Sequence, residues 1–291
     1  MKEKILVTGG AGFIGSNLCE NLAQNSNYEV YSLDNYFTGS EKNHKKNVKY
    51  IKGNTSDIEN LIKFEPSKVF HLGEYSRVEQ SFEDIERVLK FNKIGTFAVL
   101  EFCRKIKCKI IYAGSSTKFG DRGLCKTESP YAWSKYSNTE LVTNYGEWFK
   151  IPYAITYFYN VYGKGEISTG KYATLIALFK EKYKNNEEMT VVSPGTQRRN
   201  FTHIDDTIKG LILVGENGIG DNYGIVSPES FSILEIAEMF NKDKIKMLPE
   251  RRGNRMEADV VSEKIIKLGW KAEHSIKDYI ENFKKSLTNK I

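Results

Sequence analysis

Four cysteines in 291 residues, no two of them at metal-ligand spacing, exclude a zinc ribbon and supply no disulfide framework. Cys19, Cys103, Cys108 and Cys125 read as reduced, structural thiols, so neither disulfide nor metal is expected. The chain also lacks any apolar run long enough to span a bilayer. It opens Met1-Lys2-Glu3-Lys4 and passes directly into Ile5-Leu6-Val7, without the pattern of a secretory leader; a cytoplasmic location without membrane contact is expected. Internal repeats and low-complexity linkers are missing as well. The formal charge of +6 comes from lysines spread along the whole chain, with no aromatic interleaving and no nucleic-acid motif. That spread reads as solvated faces and excludes a nucleic-acid binder. A mild positive field still favours an anionic substrate such as a nucleotide diphosphate.

What is present is a core-forming apolar content of 40% and a regular alternation of strand-like and helix-like segments. Strands are expected at 5–7, 29–33, 48–52, 69–72, 109–113 and 153–157. Helices are expected near 58–64, as one long stretch over 82–107, and over 131–149 behind Pro130. After these the pattern breaks into short strands near 189–192 and 223–226, with helical stretches near 172–183, 204–214 and 233–240. The fold class is α/β: a Rossmann-type doubly wound parallel sheet with a smaller C-terminal α/β lobe that closes over the carboxyl edge of the strands and binds substrate.

The first strand runs into Thr8-Gly9-Gly10-Ala11-Gly12-Phe13-Ile14-Gly15, a glycine turn that opens a helix. Gly9 permits the tight turn, Gly12 lets amides approach a pyrophosphate, and Gly15 lets the helix pack closely. The helix N-terminus attracts phosphate. The spacing is GxxGxxG, not GxGxxG, and its place between strand and helix identifies it as a dinucleotide turn. Asp34 ends the second strand, near the ~20-residue offset expected for an acid that accepts hydrogen bonds from the adenosine ribose. Its charge repels a 2′-phosphate, so NAD is expected over NADP.

Tyr131-Ala132-Trp133-Ser134-Lys135 puts a phenol and an ammonium one helical turn apart. A neighbouring cation favours the phenolate, which suits Tyr131 to proton transfer. Alone, such a pair is usually a surface tyrosine and a solvated lysine. Beside the glycine turn, Asp34 and the polar strand end Gly114-Ser115-Ser116-Thr117-Lys118-Phe119-Gly120, it completes a hydride-transfer site.

These motifs, in this order, resemble the extended short-chain dehydrogenase/reductase family, specifically its NAD-dependent nucleotide-sugar epimerases and dehydratases, over nearly the whole chain. The resemblance implies that Ser115, Tyr131 and Lys135 are catalytic. It implies cofactor contacts at Gly9, Gly12, Phe13, Ile14, Asp34, Asn35, Asn54, Thr55, Leu72, Tyr131, Lys135 and Phe158. Phe158-Tyr159-Asn160-Val161-Tyr162-Gly163 is similar to the family's RYFNVYG segment, and Gln197 to Asp206 to its QxRDFxxVxD stretch. Substrate contacts are thereby implied at Ser116, Thr117, Asn92, Asn160, Arg199 and Arg251, with the two arginines on phosphate. The implied division is a cofactor domain over 1–162, to which about 201–228 returns, and a mainly substrate-binding lobe over 163–291.

Family members that eliminate water across C5 and C6 of the sugar carry Asp-Glu after the serine, and the decarboxylases carry a glutamate at the second position. Ser116 and Thr117 stand there instead, so the chain looks more like the UDP-galactose 4-epimerases, with a UDP-sugar as the favoured substrate. A 4-ketoreductase or 4,6-dehydratase of the same superfamily, and a non-catalytic NAD-binding regulator, are the alternatives. Departures from the family pattern are Asn54 after Gly53, His71-Leu72-Gly73-Glu74-Tyr75-Ser76-Arg77 in place of HLAA, Lys118 at an apolar site, and Tyr157 where RYFNVYG has arginine. Glu74 and Arg77 read as a structural ion pair or as the mark of a charged sugar. His203 reads as a hydrogen-bonded helix start. Trp133 and Trp148 read as packing residues, and the helices at 82–107 and 131–149 as the faces of a homodimer.

Overall fold

Alternate residues of the first strand go to opposite sides of a sheet: Ile5 and Val7 join one apolar cluster and Leu6 the other. Both faces are buried, as a parallel sheet between helices requires. The structure is a computed structural model that describes residues 2–250 and 256–288. Its central sheet contains β1 (Glu3–Thr8), β2 (Tyr28–Asp34), β3 (Val48–Lys52), β4 (Lys68–His71), β5 (Lys109–Ser115), β6 (Tyr153–Phe158) and β7 (Gly220–Ile225). They lie in the order β7-β6-β5-β4-β1-β2-β3, and every neighbouring pair is parallel. The order reverses between β1 and β4, which opens a crevice at their carboxyl ends.

Helix α1 (Phe13–Leu22) covers one face with Leu18, Cys19 and Leu22. On the other face lie α2 (Gly95–Ile106), through Val99, Leu100, Phe102 and Cys103, and α3 (Pro130–Phe149), through Val142 and Tyr145. The rest of the chain adds α4 (Leu175–Lys184), α5 (Ile204–Asn217), α6 (Ile233–Asn241) and α7 (Ile276–Thr288). Of these, α5 lies on the α1 side of the sheet through Ile204, Ile208, Leu211 and Val214. A third apolar cluster, including Phe179, Val191, Phe201, Ile236, Phe240 and Ile280, fills the lobe. Among the described residues no helix is long and apolar enough to cross a membrane.

The long helix expected near 82–107 is present without a break from Ile85 to Ile106, with a π-helical turn at Leu89–Ile94 inside it and a separate 3-10 turn at Glu79–Phe82 before it. Apolar periodicity does not register the extra residue of a π turn, which here turns the Asn92 side chain fully into the interior. Trp133 and Trp148 are not packed in the core: they are 41% and 61% exposed.

At the glycine turn, Gly9 has φ +75°, and a Cβ there would stand 2.9 Å from Gly73 Cα. At Gly15 a Cβ would stand 2.1 Å from Gly9 O, so α1 packs onto the turn that precedes it. Gly15→Ala is therefore expected to lower stability by about 1–3 kcal/mol, since the clash is with backbone. Urea denaturation checks this, and an unchanged midpoint would refute the contact.

Candidate active site

The glycine turn, the carboxyl ends of β1, β2, β5 and β6, and the start of α3 face one cavity of about 700 Å³. Gly9, Gly12, Phe13, Ile14, Asp34, Asn35, Thr55, Leu72 and Phe158 line its cofactor side. Ser115, Ser116, Thr117, Tyr131, Lys135, Asn160 and Arg199 line the remainder. Residues scattered over the sequence thus meet, many of them because they follow strands that end at the same edge, with Tyr131 and Lys135 brought in by α3.

The cofactor side fits a dinucleotide. Gly12 is the N-cap of α1, with no side chain bonded to the first-turn amides and no acid in the first turn, which leaves the helix end available to an anion. The Asp34 carboxylate accepts hydrogen bonds from the amides of Ala11 (2.9 Å) and Tyr36 (2.7 Å). Burial pushes its proton affinity above the ordinary carboxylate value in spite of those bonds, so further donors, such as ribose hydroxyls, favour its charged form. Asn54 lies outside the lining, with its Oδ1 accepting from Asn35 Nδ2 at 3.1 Å.

Ser129 caps α3 by accepting from Ala132 N at 3.0 Å, and Pro130 occupies the first turn. That start fixes Tyr131, whose hydroxyl donates to Ser115 Oγ at 3.2 Å. Thr117 Oγ1 donates to the same oxygen at 2.9 Å. Ser115, Ser116 and Thr117 are all buried.

One turn further along α3, the Lys135 ammonium donates to the Glu74 carboxylate and to the Ala113 carbonyl. Glu74, whose side chain is 3% exposed, also accepts from Thr96 Oγ1 (2.6 Å), Asn138 Nδ2 (2.8 Å) and Tyr112 OH (3.0 Å). Burial alone would raise its proton affinity, but Lys135 and these donors together hold it below the ordinary glutamate value. The expected Glu74 and Arg77 pair is thus corrected. Arg77 donates instead to the carbonyls of Tyr172 and Ser76, and among the described residues no carboxylate pairs with it. Charge complementarity in the sequence indicated the nearest cation, whereas chain direction after β4 turns Glu74 towards α3.

A chain of hydrogen bonds runs from the glycine turn to that carboxylate. Thr8 Oγ1 accepts from the amides of Leu72 and Gly73, so its own proton goes to His71 Nδ1 at 2.7 Å. His71 Nε2 then donates to Thr96 Oγ1 at 2.9 Å, and Thr96 donates to Glu74. These partners assign the Nε2–H tautomer.

Asn92 does not line the cavity. It clamps Tyr75 through both amide atoms, and its Nδ2 also donates to Ser134 Oγ at 2.9 Å. The substrate contact expected of it becomes a brace between the β4 loop and α3, because the π turn directs it inward. Lys118 and Tyr157 also stand outside the lining. Lys118 Nζ donates to Tyr157 OH (2.9 Å) and Asp221 Oδ2 (2.7 Å), and Tyr157 OH donates to Asp221 Oδ1 (2.6 Å). The two departures explain each other, and neither is itself a lining residue. Arg251 lies outside the described residues. His203 caps α5, its Nδ1 accepting from Asp205 N at 3.3 Å. Glu166 and Gln197 line the cavity and were not anticipated as site residues; Gln197 Oε1 is buried without a hydrogen-bond partner among the described residues. The glutamine of the QxRDFxxVxD stretch was the available signal.

His71 is fully buried, and burial holds it down to about 4, from an ordinary 6.5. The unfolded ring takes a proton that the folded ring refuses, so the stability it confers is present above about 6.5 and is lost as pH falls towards 4. The loss between pH 7 and pH 5 is about 2 kcal/mol. Chemical denaturation at both pH values is expected to reveal it, with a correspondingly smaller loss in His71→Gln. Equal slopes for the two proteins would discount the role of the ring.

Comparison with known proteins follows the same lines. Residues 5–226 match the model of the NAD dependent epimerase/dehydratase family. A putative UDP-glucose 4-epimerase of Methanocaldococcus jannaschii is 31% identical over 295 residues, covering 95% of this chain and 96% of its own. UDP-glucuronic acid decarboxylase 3 of Arabidopsis thaliana is 29% identical over 252 residues, 81% of this chain and 72% of its own. Among solved structures, the UDP-glucuronic acid 4-epimerase of Bacillus cereus, in complex with UDP-glucuronic acid and NAD, superposes with a TM-score of 0.85 at 27% identity, covering 98% of this chain and 99% of its own. With its dinucleotide turn, its Ser115, Tyr131 and Lys135 corner and a family match through β7, this chain belongs to the NAD dependent epimerase/dehydratase family, and NAD is its cofactor.

Proposed function

We propose that the chain interconverts the C4 epimers of a nucleotide-diphosphate sugar, with a UDP-sugar favoured, through a transient 4-keto sugar. The observation that carries this reading is the Ser115 corner, where the two following residues are buried hydroxyls and Thr117 is bonded to Ser115 itself. Hydroxyls do not perform the acid–base work of C5–C6 elimination at neutral pH, which supports oxidation and reduction at one carbon. The likeness to two proteins described as 4-epimerases supports it further, while the decarboxylase relative marks the alternative.

In this reading Tyr131, as phenolate, takes the proton of the sugar 4-hydroxyl and returns it after the keto sugar has turned its other face. Thr117 fixes Ser115 Oγ as an acceptor on one side and leaves its own proton for the sugar oxygen. Lys135 has three N–H donors, of which Glu74 and Ala113 take two, so one remains for the nicotinamide ribose. Bound NAD supplies the acceptor and donor of the C4 hydride. Arg199 and Asn160 are assigned to the diphosphate, and Asp34 to discrimination against NADP. Residues 1–162, with 201–228, form the cofactor domain, and 163–291 mainly the substrate lobe.

We also propose a homodimer. Ile85, Ile94, Phe97, Trp133, Trp148 and Phe149, on the helices around α2 and α3, are large apolar side chains each 41–61% exposed, which a partner subunit would cover. Four buried free thiols accord with a reducing, cytoplasmic setting.

Tyr131→Phe is expected to cut turnover by about 10²- to 10⁴-fold while NAD stays bound. The wild type should interconvert epimers with no stoichiometric consumption of added NADH, as followed by absorbance. Full activity in the variant would sink the assignment, and steady NADH consumption would favour the ketoreductase. For the dimer, Phe97→Glu is expected to sediment as a folded monomer where wild type sediments as a dimer; identical profiles would reject this interface.

A further inference from the structure

Residues 163–174, which join Tyr162 to α4, are bonded on one side to α1 and on the other to the loop after β4. Those two elements flank the crevice that opens between β1 and β4, so the segment spans it. Asn17 Nδ2, on α1, donates to the Lys164 carbonyl at 3.0 Å. On the far side Arg77 donates through Nε (3.1 Å) and Nη2 to the Tyr172 carbonyl, and Tyr172 OH donates to Asp84 Oδ2 at 2.9 Å. The Tyr172 ring also packs edge-on against Phe37, from the loop after β2, with centroids 5.4 Å apart. Phe37 lines the cavity beside Asp34 and Asn35, and Glu166, Ile167, Ala173 and Thr174 of the segment line the same cavity.

Within the segment, Glu166 accepts from Gly163 N (2.9 Å) and Thr174 Oγ1 (2.6 Å), and Thr174 N donates to the Ile167 carbonyl (2.9 Å). Its two ends are thereby held together, and it can move as one piece. Gly165 and Gly170 turn it at φ +93° and +75° and absorb a swing at little steric cost. Asp84 is the fixed half of the latch: it also accepts from Tyr75 OH (2.9 Å) and Arg87 Nη1 (2.7 Å), while Lys171 Nζ stands 3.5 Å from Oδ2. Hydrogen bonds from Tyr172 and Tyr75 hold its carboxyl down to about 2, so the acceptor stays charged. We propose that residues 163–174 form a strap latched by Tyr172 to Asp84, and that this latch gates both the entry and the exit of NAD. The inference rests on NAD as the cofactor and not on the 4-epimerase reading. In that reading a hydride is taken from the sugar and returned to it, and the strap keeps the reduced cofactor in place between the two transfers.

The test is the exchange of NADH with the full chain. Release is followed as the loss of bound-NADH fluorescence after a chase with excess NAD, and association as its rise on mixing NADH with nucleotide-free protein. Tyr172→Phe, which removes one hydroxyl, is expected to raise both rates by about 10-fold and to change the dissociation constant by less than about threefold, because a gate acts on both directions alike. Asp84→Asn gives a second route to the same result should Tyr172→Phe fold poorly. The double variant is expected to match Asp84→Asn alone, since the bond removed by Tyr172→Phe is already weakened there. Release at the wild-type rate in both single variants overturns the inference. Faster release with unchanged association also overturns it, since that is the mark of a lost contact in the bound state or of a disturbed site, as does a double variant whose effect is the product of the two singles. The measurement needs no sugar substrate, so a failure of the 4-epimerase reading leaves it intact, and unchanged exchange rates leave that reading intact.

Discussion

A carboxylate removed from water must be surrounded by donors, and the active corner of this chain is arranged around that requirement at Glu74. Its partners come from α2 (Thr96), β5 (Tyr112) and α3 (Lys135 and Asn138), so the two helices are locked to each other and to the sheet by one side chain. Breaking a buried pair of this kind by removing one partner costs about 3–5 kcal/mol, which makes the arrangement close to all-or-none. Because α3 is fixed at Lys135, Tyr131 one turn earlier is fixed against Ser115. The hydrogen-bond chain through Thr96, His71 and Thr8 ties the same carboxylate to the residue before the glycine turn, joining the two ends of the site through protein groups alone.

The cavity separates what is shared by a family from what distinguishes its members. A glycine turn, an acid after the second strand and a tyrosine with a lysine serve any reaction that begins with hydride removal from a sugar. In the proposed reading the reaction that follows turns on the side chains at the Ser115 corner, since a fold of this type accommodates several outcomes. Relatives described as epimerase and as decarboxylase are 31% and 29% identical to this chain, so overall similarity does not separate the two outcomes.

Much of this was legible in the sequence wherever the signal was local. Short apolar, strand-like segments placed six strands of the sheet, and the Gly9 to Gly15 turn and the Tyr131 to Lys135 spacing gave two corners of the candidate site. The misplacements have separate origins. The π turn at Leu89–Ile94 adds a residue to a helical turn without disturbing the apolar pattern, and Asn92, expected at the cavity, faces the interior. Trp133, read as a packing residue, is 41% exposed within the single chain. Arg77 was matched with Glu74 because both stand in one short segment.

The sequence by itself determined the strands, the glycine turn, the place of Asp34 at the end of the second strand, and the helix that presents Tyr131 and Lys135 together. Each depends on contacts within a few residues, where backbone geometry alone fixes which side chains meet. Only the tertiary structure decided what Lys135 is bonded to, since Glu74 lies 61 residues away. That pairing exists because β4 and β5 are neighbours in the sheet and end at the same edge, and the energy that enforces it, the desolvation of a buried charge, has no meaning until the fold has taken the water away.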